Sequence, residues 1–314
     1  MSTGFSSKHF VVHEVSENVY AAIHSNGGWQ TCNSGIIDLG GSTLLFDTGL
    51  TPQSANDLNE ASIQLTGKEP EYIVNSHYHN DHIRGNQSFQ ESIIISSSQI
   101  RDLIDSKGRE EIESDKKHAT QQLNTINELR KSEKPEDRAY VESFQPYWEG
   151  IITSLSSLEL RLPMLTFTES LTLHGSDKTA ILTSFSYGHS DNDCILFLPD
   201  ERVMFCGDLL FAGCHPYLGD GYPDSWLMIL DQLLEMNAEV LIPGHGYVGA
   251  PEDLALMREY IVSLMNNVRL IHEQGGSADD ATDVPVPESF KDWIFDRPFY
   301  SMNMRFLYKQ FKTS

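Results

Sequence analysis

The sequence is poor in cysteine, in basic residues and in long apolar runs. Its 314 residues include four cysteines (Cys32, Cys194, Cys206 and Cys214) and no CxxC pair, which argues against a disulfide framework and predicts buried free thiols in a reducing compartment. No apolar run approaches the ~20 residues of a membrane span. The first ten residues also lack the basic and apolar regions of a signal peptide. We therefore expect a cytoplasmic protein with no membrane partner.

The charge balance is strongly acidic. Aspartate and glutamate number 45 against 22 lysines and arginines, which gives a formal charge of −23. Such a surface repels nucleic acid, and no local basic patch offsets it. Hydrophobic residues make up an ordinary 39%, so the chain is expected to fold, as one large domain over residues 1–314. A small molecule is then the expected partner.

The segment Asn75-Ser76-His77-Tyr78-His79-Asn80-Asp81-His82 is the most informative stretch of the chain. It follows the apolar run 72–74 and holds three imidazoles and one carboxylate within six positions. On an extended backbone, His77 and His79 point the same way because side chains alternate with period two. Imidazole nitrogens and a carboxylate are ligands that suit Zn²⁺ or a similar ion. The alternative is a histidine-rich polar loop, but clustered free histidines have no packing reason to exist. The segment predicts a metal site.

Three later groups stand in a related context: His189, Asp208 and His245 each follow a predicted strand and have a neighbouring glycine. In mixed α/β folds, sites gather outside the carboxyl ends of strands, and glycine lets the backbone approach closely. Together with the first cluster this makes seven metal-type groups. A catalytic zinc usually takes three protein ligands, so the count favours two metals that share a carboxylate.

Two stretches depart from the strand-rich pattern of the rest of the chain. Residues 99–162 are rich in Glu, Lys, Ser and Gln and predict a helical insertion. The insertion is either a solvated excursion or a lid that presents Tyr140, Phe144, Tyr147 and Trp148 to a substrate. Residues 251–314 predict a C-terminal helical extension. Its apolar residues either form a homodimer face or pack within the chain; they are Trp293, Phe295, Phe299, Tyr300 and Phe306.

In its motif and in the order of the later ligands, the chain resembles the metallo-β-lactamase superfamily over about residues 19–248. The matching positions are His77-x-His79-x-Asp81-His82, then His189 and Asp208, then Pro243-Gly244-His245-Gly246. The resemblance implies an α/β fold, an αββα sandwich of two facing sheets with helices outside. It also implies that His77, His79 and His189 bind a first metal, that Asp81, His82 and His245 bind a second, and that Asp208 bridges them.

The same resemblance implies a hydrolase in which two Zn²⁺ hold a bridging hydroxide that attacks a carbonyl carbon. Fe, Mn or Co could replace the zinc. Asp81 and Asp208 would be the catalytic carboxylates, with Asp81 also accepting a proton, and the substrate would be a lactone, ester, thioester or β-lactam amide. A segment at 215–220, HPYLGD, and Trp226 are similar to a loosely characterised hydrolase group of the superfamily. An iron-dependent persulfide dioxygenase and a metal-binding protein without catalysis are the alternatives.

Several further residues are candidates for a place beside the metals. Asp47 and Asp191 could orient histidine N–H groups. Tyr78, His215 and Tyr217 could donate hydrogen bonds to a developing oxyanion, although packing roles are favoured for all three.

Overall fold

The first sheet contains seven strands, and the computed structural model describes residues 4–294 and 296–313 of the chain. Its strands lie in chain order, antiparallel from the first to the fourth and parallel from the fourth to the seventh. They are β1 (Phe10–Ser16), β2 (Val19–His24), β3 (Ser34–Asp38), β4 (Thr43–Phe46), β5 (Pro70–Val74), β6 (Ile93–Ser97) and β7 (Leu165–Phe167).

The second sheet contains five strands in the order β12-β11-β10-β9-β8. Only the β11–β12 pair is parallel among these neighbours, and the other pairs are antiparallel. The strands are β8 (Ser170–His174), β9 (Thr179–Ser186), β10 (Asn192–Leu198), β11 (Val203–Ala212) and β12 (Val240–Gly246).

The two sheets face each other, and helices cover both outer surfaces. Side chains from the inner faces, among them Phe46 and Phe205 with ring centroids 5.8 Å apart, form the central cluster. The helix α1 (Pro52–Thr66) packs on the first sheet, and α6 (Pro223–Glu235), α7 (Pro251–Glu273) and α9 (Asp296–Thr313) pack around the second. The αββα sandwich that the resemblance implied is confirmed.

The helix α1 has clear sequence signals at both ends. Thr51 caps its start by accepting a hydrogen bond from the Ser54 N–H at 3.2 Å, and Gly67 ends it at φ 78°. Helical spacing over residues 52–65 predicts that Ala55, Leu58, Ile63 and Leu65 face inward. The prediction is right for Ala55 and Leu58, which are buried, and Leu65 is partly buried against the same cluster. It is wrong for Ile63, which is 40% exposed, because the small residues Ala61 and Ser62 form the buried surface of that turn.

The stretch 99–162 is helical, as its composition predicts. It contains most of α3 (Ser98–Leu103), a π-helical turn (Ile104–Gly108), α4 (Arg109–Leu129) and α5 (Pro135–Ser154). Before β6 lie α2 (Asn80–Ile83), which contains Asp81 and His82 of the ligand motif, and a 3₁₀ turn (Arg84–Ser88). After α7, the chain forms α8 (Ala278–Thr282) and a second 3₁₀ turn (Glu288–Phe290). The boundaries of the insertion and of the C-terminal extension, and the single domain, stay predictions.

The C-terminal aromatic residues make contacts within the chain. Tyr300 is buried, and Trp293 and Phe306 are partly buried in the cluster between α7 and the second sheet. Phe299 stacks on Phe144 of α5 with ring centroids 5.4 Å apart. Phe295 lies outside the described residues. A homodimer stays a prediction.

The strand β11 is longer than the sequence pattern predicts. We expected it to end before Gly207-Asp208, but it continues to Ala212, and β12 likewise includes His245. The register between the two strands shifts around Gly207, which has φ 52°, so an irregularity accommodates Asp208 inside the paired strand. Asp208 and His245 therefore lie within strands and not after them.

The four cysteines are buried and unpaired, which confirms the expectation of free thiols. In the part of the chain that the structure describes, no helix combines the length and the apolarity that crossing a bilayer requires.

Candidate metal centre

The seven predicted ligand residues come together at one edge of the sandwich. His77, His79, Asp81 and His82 lie on the segment that follows β5 and in the short helix α2, so the first sheet supplies them. The second sheet supplies the other three: His189 from the loop between β9 and β10, Asp208 from β11, and His245 from β12.

One group of ligand atoms comes from His77, His79, His189 and Asp208, and they all lie within 4.8 Å of one another. His189 Nε2 is 3.0 Å from His79 Nδ1 and 3.3 Å from Asp208 Oδ2. His77 Nε2 lies 3.9 Å from the same carboxylate oxygen. Three imidazoles and a carboxylate thus surround one point.

A second group comes from Asp81, His82 and His245, whose ligand atoms meet the same 4.8 Å limit. His245 Nε2 is 3.4 Å from Asp81 Oδ2. Asp208 also reaches this group, because its Oδ1 is 3.1 Å from His82 Nε2 and its Oδ2 is 3.4 Å from His245 Nε2. Asp208 therefore lies between the two groups.

These distances suit divalent metals. Two ligands of one tetrahedral zinc, each about 2.0–2.1 Å from the ion, are roughly 3.3 Å apart. His77 Nε2, His82 Nε2 and Asp208 Oδ1 are buried and make no hydrogen bond within the described structure. Buried polar atoms without partners are costly, and metal ions bound by the two groups would satisfy all three. The donor set and the orphaned atoms both fit metal binding.

Burial keeps two of the histidines neutral, and the neutral imidazole is the form that binds metal. It lowers the pKa of His77 well below its usual value and the pKa of His189 to about 3, so both imidazoles are neutral at pH 7. Burial also opposes a charge on His82, but the carboxylate of Asp208 and other nearby groups raise its pKa well above the usual value. Negative charge is thus in excess around His82, and a bound cation would neutralise it.

The same interactions act on Asp208. Burial alone would raise its pKa, but the imidazoles of His245, His82 and His189 hold it well below the usual range. Asp208 is therefore a carboxylate at neutral pH, the form that can bridge two cations.

Two aspartates fix the orientation of ligand imidazoles. The buried Asp47 accepts from the His82 Nδ1–H at 2.7 Å and from the Ser76 N–H at 2.8 Å, which leaves His82 Nε2 free to face the metal position. Asp220 accepts from the His79 Nε2–H at 3.1 Å, and this bond lowers the pKa of Asp220 to about 2. Each aspartate selects the tautomer of its histidine.

The sequence identified Asp47 as a carboxylate that could orient a ligand histidine. It did not indicate Asp220, and it suggested Asp191 for this role instead. Asp191 accepts from Lys107 Nζ at 2.6 Å and from Tyr222 Oη at 2.7 Å. Its two carboxylate oxygens therefore bond to these side chains and not to a ligand imidazole. Asp220 is 141 positions from His79, and no local pattern links the two.

A cavity of about 1120 Å³ opens over the two ligand groups. The four aromatic residues of the insertion named above all line it, as do Tyr217, His215, Phe299 and Glu111. The buried His215 bonds through Nδ1 to Tyr260 Oη at 3.0 Å, and the Tyr217 ring centroid is 6.0 Å from that of His79. Tyr78 is buried against His79, with ring centroids 4.6 Å apart.

Comparison with known proteins gives a consistent family and fold. Residues 27–245, well over half of the chain, match the family model described as the Metallo-beta-lactamase superfamily. Similar solved structures include a metallo-beta-lactamase from Pontibacter korlensis, with 17% identity, a TM-score of 0.57, and coverage of 80% of this chain and 98% of the other. Another is the metallo-beta-lactamase FIM-1 from Pseudomonas aeruginosa in its mono-zinc form, with 14% identity, a TM-score of 0.58, and coverage of 83% and 98%. At such identities the structural likeness shows the fold.

Proposed function

This chain belongs to the metallo-β-lactamase superfamily, and from that premise we propose that it is a dinuclear zinc hydrolase of a small carbonyl compound. The bond cleaved is that of a lactone, ester, thioester or β-lactam amide. The observation that carries the proposal is Asp208, whose two oxygens approach both ligand groups at the base of the cavity.

His77, His79 and His189 would hold one metal ion, and Asp81, His82 and His245 the other, with Asp208 shared. Zinc bound there would supply Lewis acidity and a water of lowered pKa near neutral pH.

The residues of the chain have separate tasks in this reaction. Asp81 lies in the cavity lining, where Thr31 Oγ1 donates to its Oδ2 at 3.4 Å, and its carboxylate accepts the proton that the attacking water releases. Asp47 and Asp220 hold His82 and His79 in one tautomer, so the ligand nitrogens stay aimed at the same points during turnover. The helix α5 walls the cavity and limits access of bulk water.

The number of ligand groups favours a hydrolase over the alternatives. An iron-dependent persulfide dioxygenase needs one metal and three protein ligands, which would leave four of the seven groups without a metal to bind. A metal-binding protein without catalysis has no use for a large cavity over its metals.

Metal content tests the proposal. We expect protein purified without added metal to hold about two zinc ions per chain by elemental analysis. Asp208→Ala should lower the content toward one ion, because the shared carboxylate is lost from both groups. The wild-type protein should also cleave a simple ester or lactone, and Asp208→Ala should reduce this turnover by more than about a hundredfold.

Asp105→Ala is the matched control, because Asp105 pairs with Arg109 on the surface of the insertion and its side chain is 46% exposed. This variant should keep both zinc ions and full turnover. A single iron per chain that does not depend on Asp208 would contradict the proposal and redirect the search to sulfur oxidation. A single zinc in the wild type, as in the mono-zinc form of FIM-1, would contradict the dinuclear part alone.

A further inference from the structure

The cavity over the ligand groups has aromatic walls along its length. On α5, Phe144 stacks on Phe299 of α9, and Tyr147 and Trp148 meet edge to face with ring centroids 5.1 Å apart. At the metal end, Phe211 stacks on His245 with centroids 5.2 Å apart. Aromatic surface therefore reaches from the ligands to the helices of the insertion and the C-terminus, and it offers burial to an apolar group.

The cavity has room for a large apolar group. Its volume of about 1120 Å³ slightly exceeds the roughly 300–1,000 Å³ that is typical of pockets for drug-sized ligands. A short acyl group such as acetyl would leave most of the aromatic surface in contact with water.

Apart from histidines, the charged side chains that line this cavity are acidic. Its described lining contains no lysine or arginine, and besides the ligands Asp81 and Asp208 it contains Glu111, Glu142 and Asp220. Glu111 Oε2 is buried and makes no hydrogen bond among the described residues. These three residues belong to neither of the two ligand groups.

Two basic side chains close to the acidic lining residues Glu111 and Asp220 are paired with other carboxylates. Arg84 is buried and donates from Nη2 to Asp115 Oδ2 at 2.5 Å, and Lys107 donates to Asp191 at 2.6 Å. Neither belongs to the lining of the large cavity. A substrate carboxylate held away from the metals would thus lose its hydration, face acidic side chains and find no lysine or arginine in the described lining, which acts against its binding.

We propose that this site takes uncharged esters or lactones with a bulky apolar acyl group and discriminates against substrates whose acyl group carries a carboxylate remote from the reacting carbonyl. The inference rests on the proposed hydrolase function and narrows its substrate.

A matched pair of substrates tests the charge preference. The para-nitrophenyl ester of octanoic acid and the mono-para-nitrophenyl ester of octanedioic acid share leaving group and chain length and differ by one carboxylate. We expect the neutral ester to have a kcat/KM at least about tenfold higher with the zinc-loaded enzyme at about pH 8, where carboxylates are ionised. Equal values, or a preference for the acid, would overturn the proposal.

A binding measurement separates this proposal from the hydrolase function on which it rests. The anilide of octanoic acid and the mono-anilide of octanedioic acid resist cleavage, and calorimetry with the zinc-loaded protein gives their Kd values. Tighter binding of the neutral anilide, by about tenfold, supports the substrate class even where no ester is hydrolysed, in which case only the hydrolase function fails. Failure of both anilides to bind, or tighter binding of the acid, overturns the substrate class.

Charge reversal at the exposed Glu142 tests whether the acidic lining causes the preference for the neutral ester. Glu142→Lys places a cation in the cavity lining, and we expect it to raise kcat/KM for the octanedioic monoester by about three- to tenfold with zinc content unchanged. Glu133→Lys makes the same substitution at an exposed residue between α4 and α5, outside the described lining, and should leave the selectivity as it is. Equal effects of the two variants would contradict a local role of the cavity charge.

Truncation of an aromatic wall residue tests the size preference. Phe144→Ala should lower the ratio of kcat/KM for the octanoate over the acetate ester by about fivefold or more, because the long chain loses an apolar contact that acetate never makes. Phe311→Ala, at a side chain that is 39% exposed and outside the described lining, is the control. An unchanged ratio in Phe144→Ala would contradict the assigned wall.

Discussion

At the scale of single residues, Asp47 illustrates how the site is held in place. Its backbone has φ 58°, a left-handed conformation that aspartate tolerates better than most residues. This backbone turn brings the carboxylate onto the Ser76 N–H, the Ser76 hydroxyl and the His82 ring at 2.7–2.8 Å. The three hydrogen bonds compensate the backbone conformation and the burial of the charge, so Asp47 acts on the metal site through His82.

His215 is a buried histidine that is not a ligand, and it makes a pH dependence measurable. Burial lowers its pKa to about 4, while its Nδ1 bonds to Tyr260 and its ring packs on Trp293 and Tyr300. Because the pKa is lower in the folded state than the usual 6.5, the unfolded chain takes up a proton first as the pH falls. The stability that the neutral ring confers is thus present above about pH 6.5 and is lost toward pH 4.

We therefore expect the free energy of unfolding of the metal-free protein to fall more steeply from about pH 7 to about pH 4 than that of His215→Gln. The difference between the two falls should reach up to about 3 kcal/mol. Urea denaturation at several pH values measures both curves. The substitution itself lowers the free energy of unfolding at every pH, so the two proteins are compared by the slopes of their curves. Parallel curves would contradict a lowered pKa of His215.

At the scale of elements, α5 is attached to the ligand segment by a hydrogen bond between side chains. Asn80 lies between the candidate ligands His79 and Asp81, and its Nδ2 donates to Tyr147 Oη of α5 at 2.7 Å. Ile151 of the same helix packs with Leu50 and Ala119 in a small separate cluster. With so small a core beneath it, the position of α5 depends on individual contacts such as this one.

Tyr147→Phe removes this hydrogen bond and keeps the ring. A neutral hydrogen bond contributes about 0.5–1.5 kcal/mol, so we expect hydrogen exchange across residues 135–154 to accelerate about three- to tenfold. Mass spectrometry of peptides from that range measures the exchange. Tyr140→Phe is the matched control, because no hydrogen bond of the Tyr140 hydroxyl is found in the described part of the chain, and it should exchange like the wild type. The same acceleration in both variants would show that the Asn80 bond does not hold the helix.

At the scale of the whole molecule, the site depends on the close approach of two sheets, each of which carries some of the ligands. Gly35 of β3 faces Phe205 of β11 across the sandwich, and a Cβ at position 35 would lie 2.4 Å from Phe205 Cε1. The absence of a side chain at Gly35 thus allows the ring of Phe205 to fill the space between the sheets.

Gly35→Ala should separate the sheets locally and lower the free energy of unfolding by about 1–3 kcal/mol. Gly108→Ala provides the comparison, because its added methyl would meet nothing closer than Ile83 Cδ1 at 3.6 Å and would lie in a helical segment, where alanine is favoured. Thermal and denaturant unfolding of both variants measure the effect. A loss of stability in Gly108→Ala as large as in Gly35→Ala would contradict the argument from sheet contact.

The sequence by itself determined the local features of this protein. Alternating and apolar runs predicted most of the strands, and Pro52 and Gly67 lie at the two ends of α1. The spacing of His77, His79, Asp81 and His82 predicted metal chemistry, and the glycine-flanked His189, Asp208 and His245 completed the set that the fold brings together. These signals are readable because backbone geometry and ligand chemistry act over a few neighbouring residues.

Only the tertiary structure decided how distant segments meet. The extension of β11 past Asp208 follows from its pairing with β12, and no residue pattern near Gly207 predicts this extension. The bond between His79 and Asp220 and the closing of the cavity by α5 and α9 join parts of the chain far apart in sequence. Such contacts depend on the packing of whole elements against each other, and local propensity carries no record of which surfaces will meet.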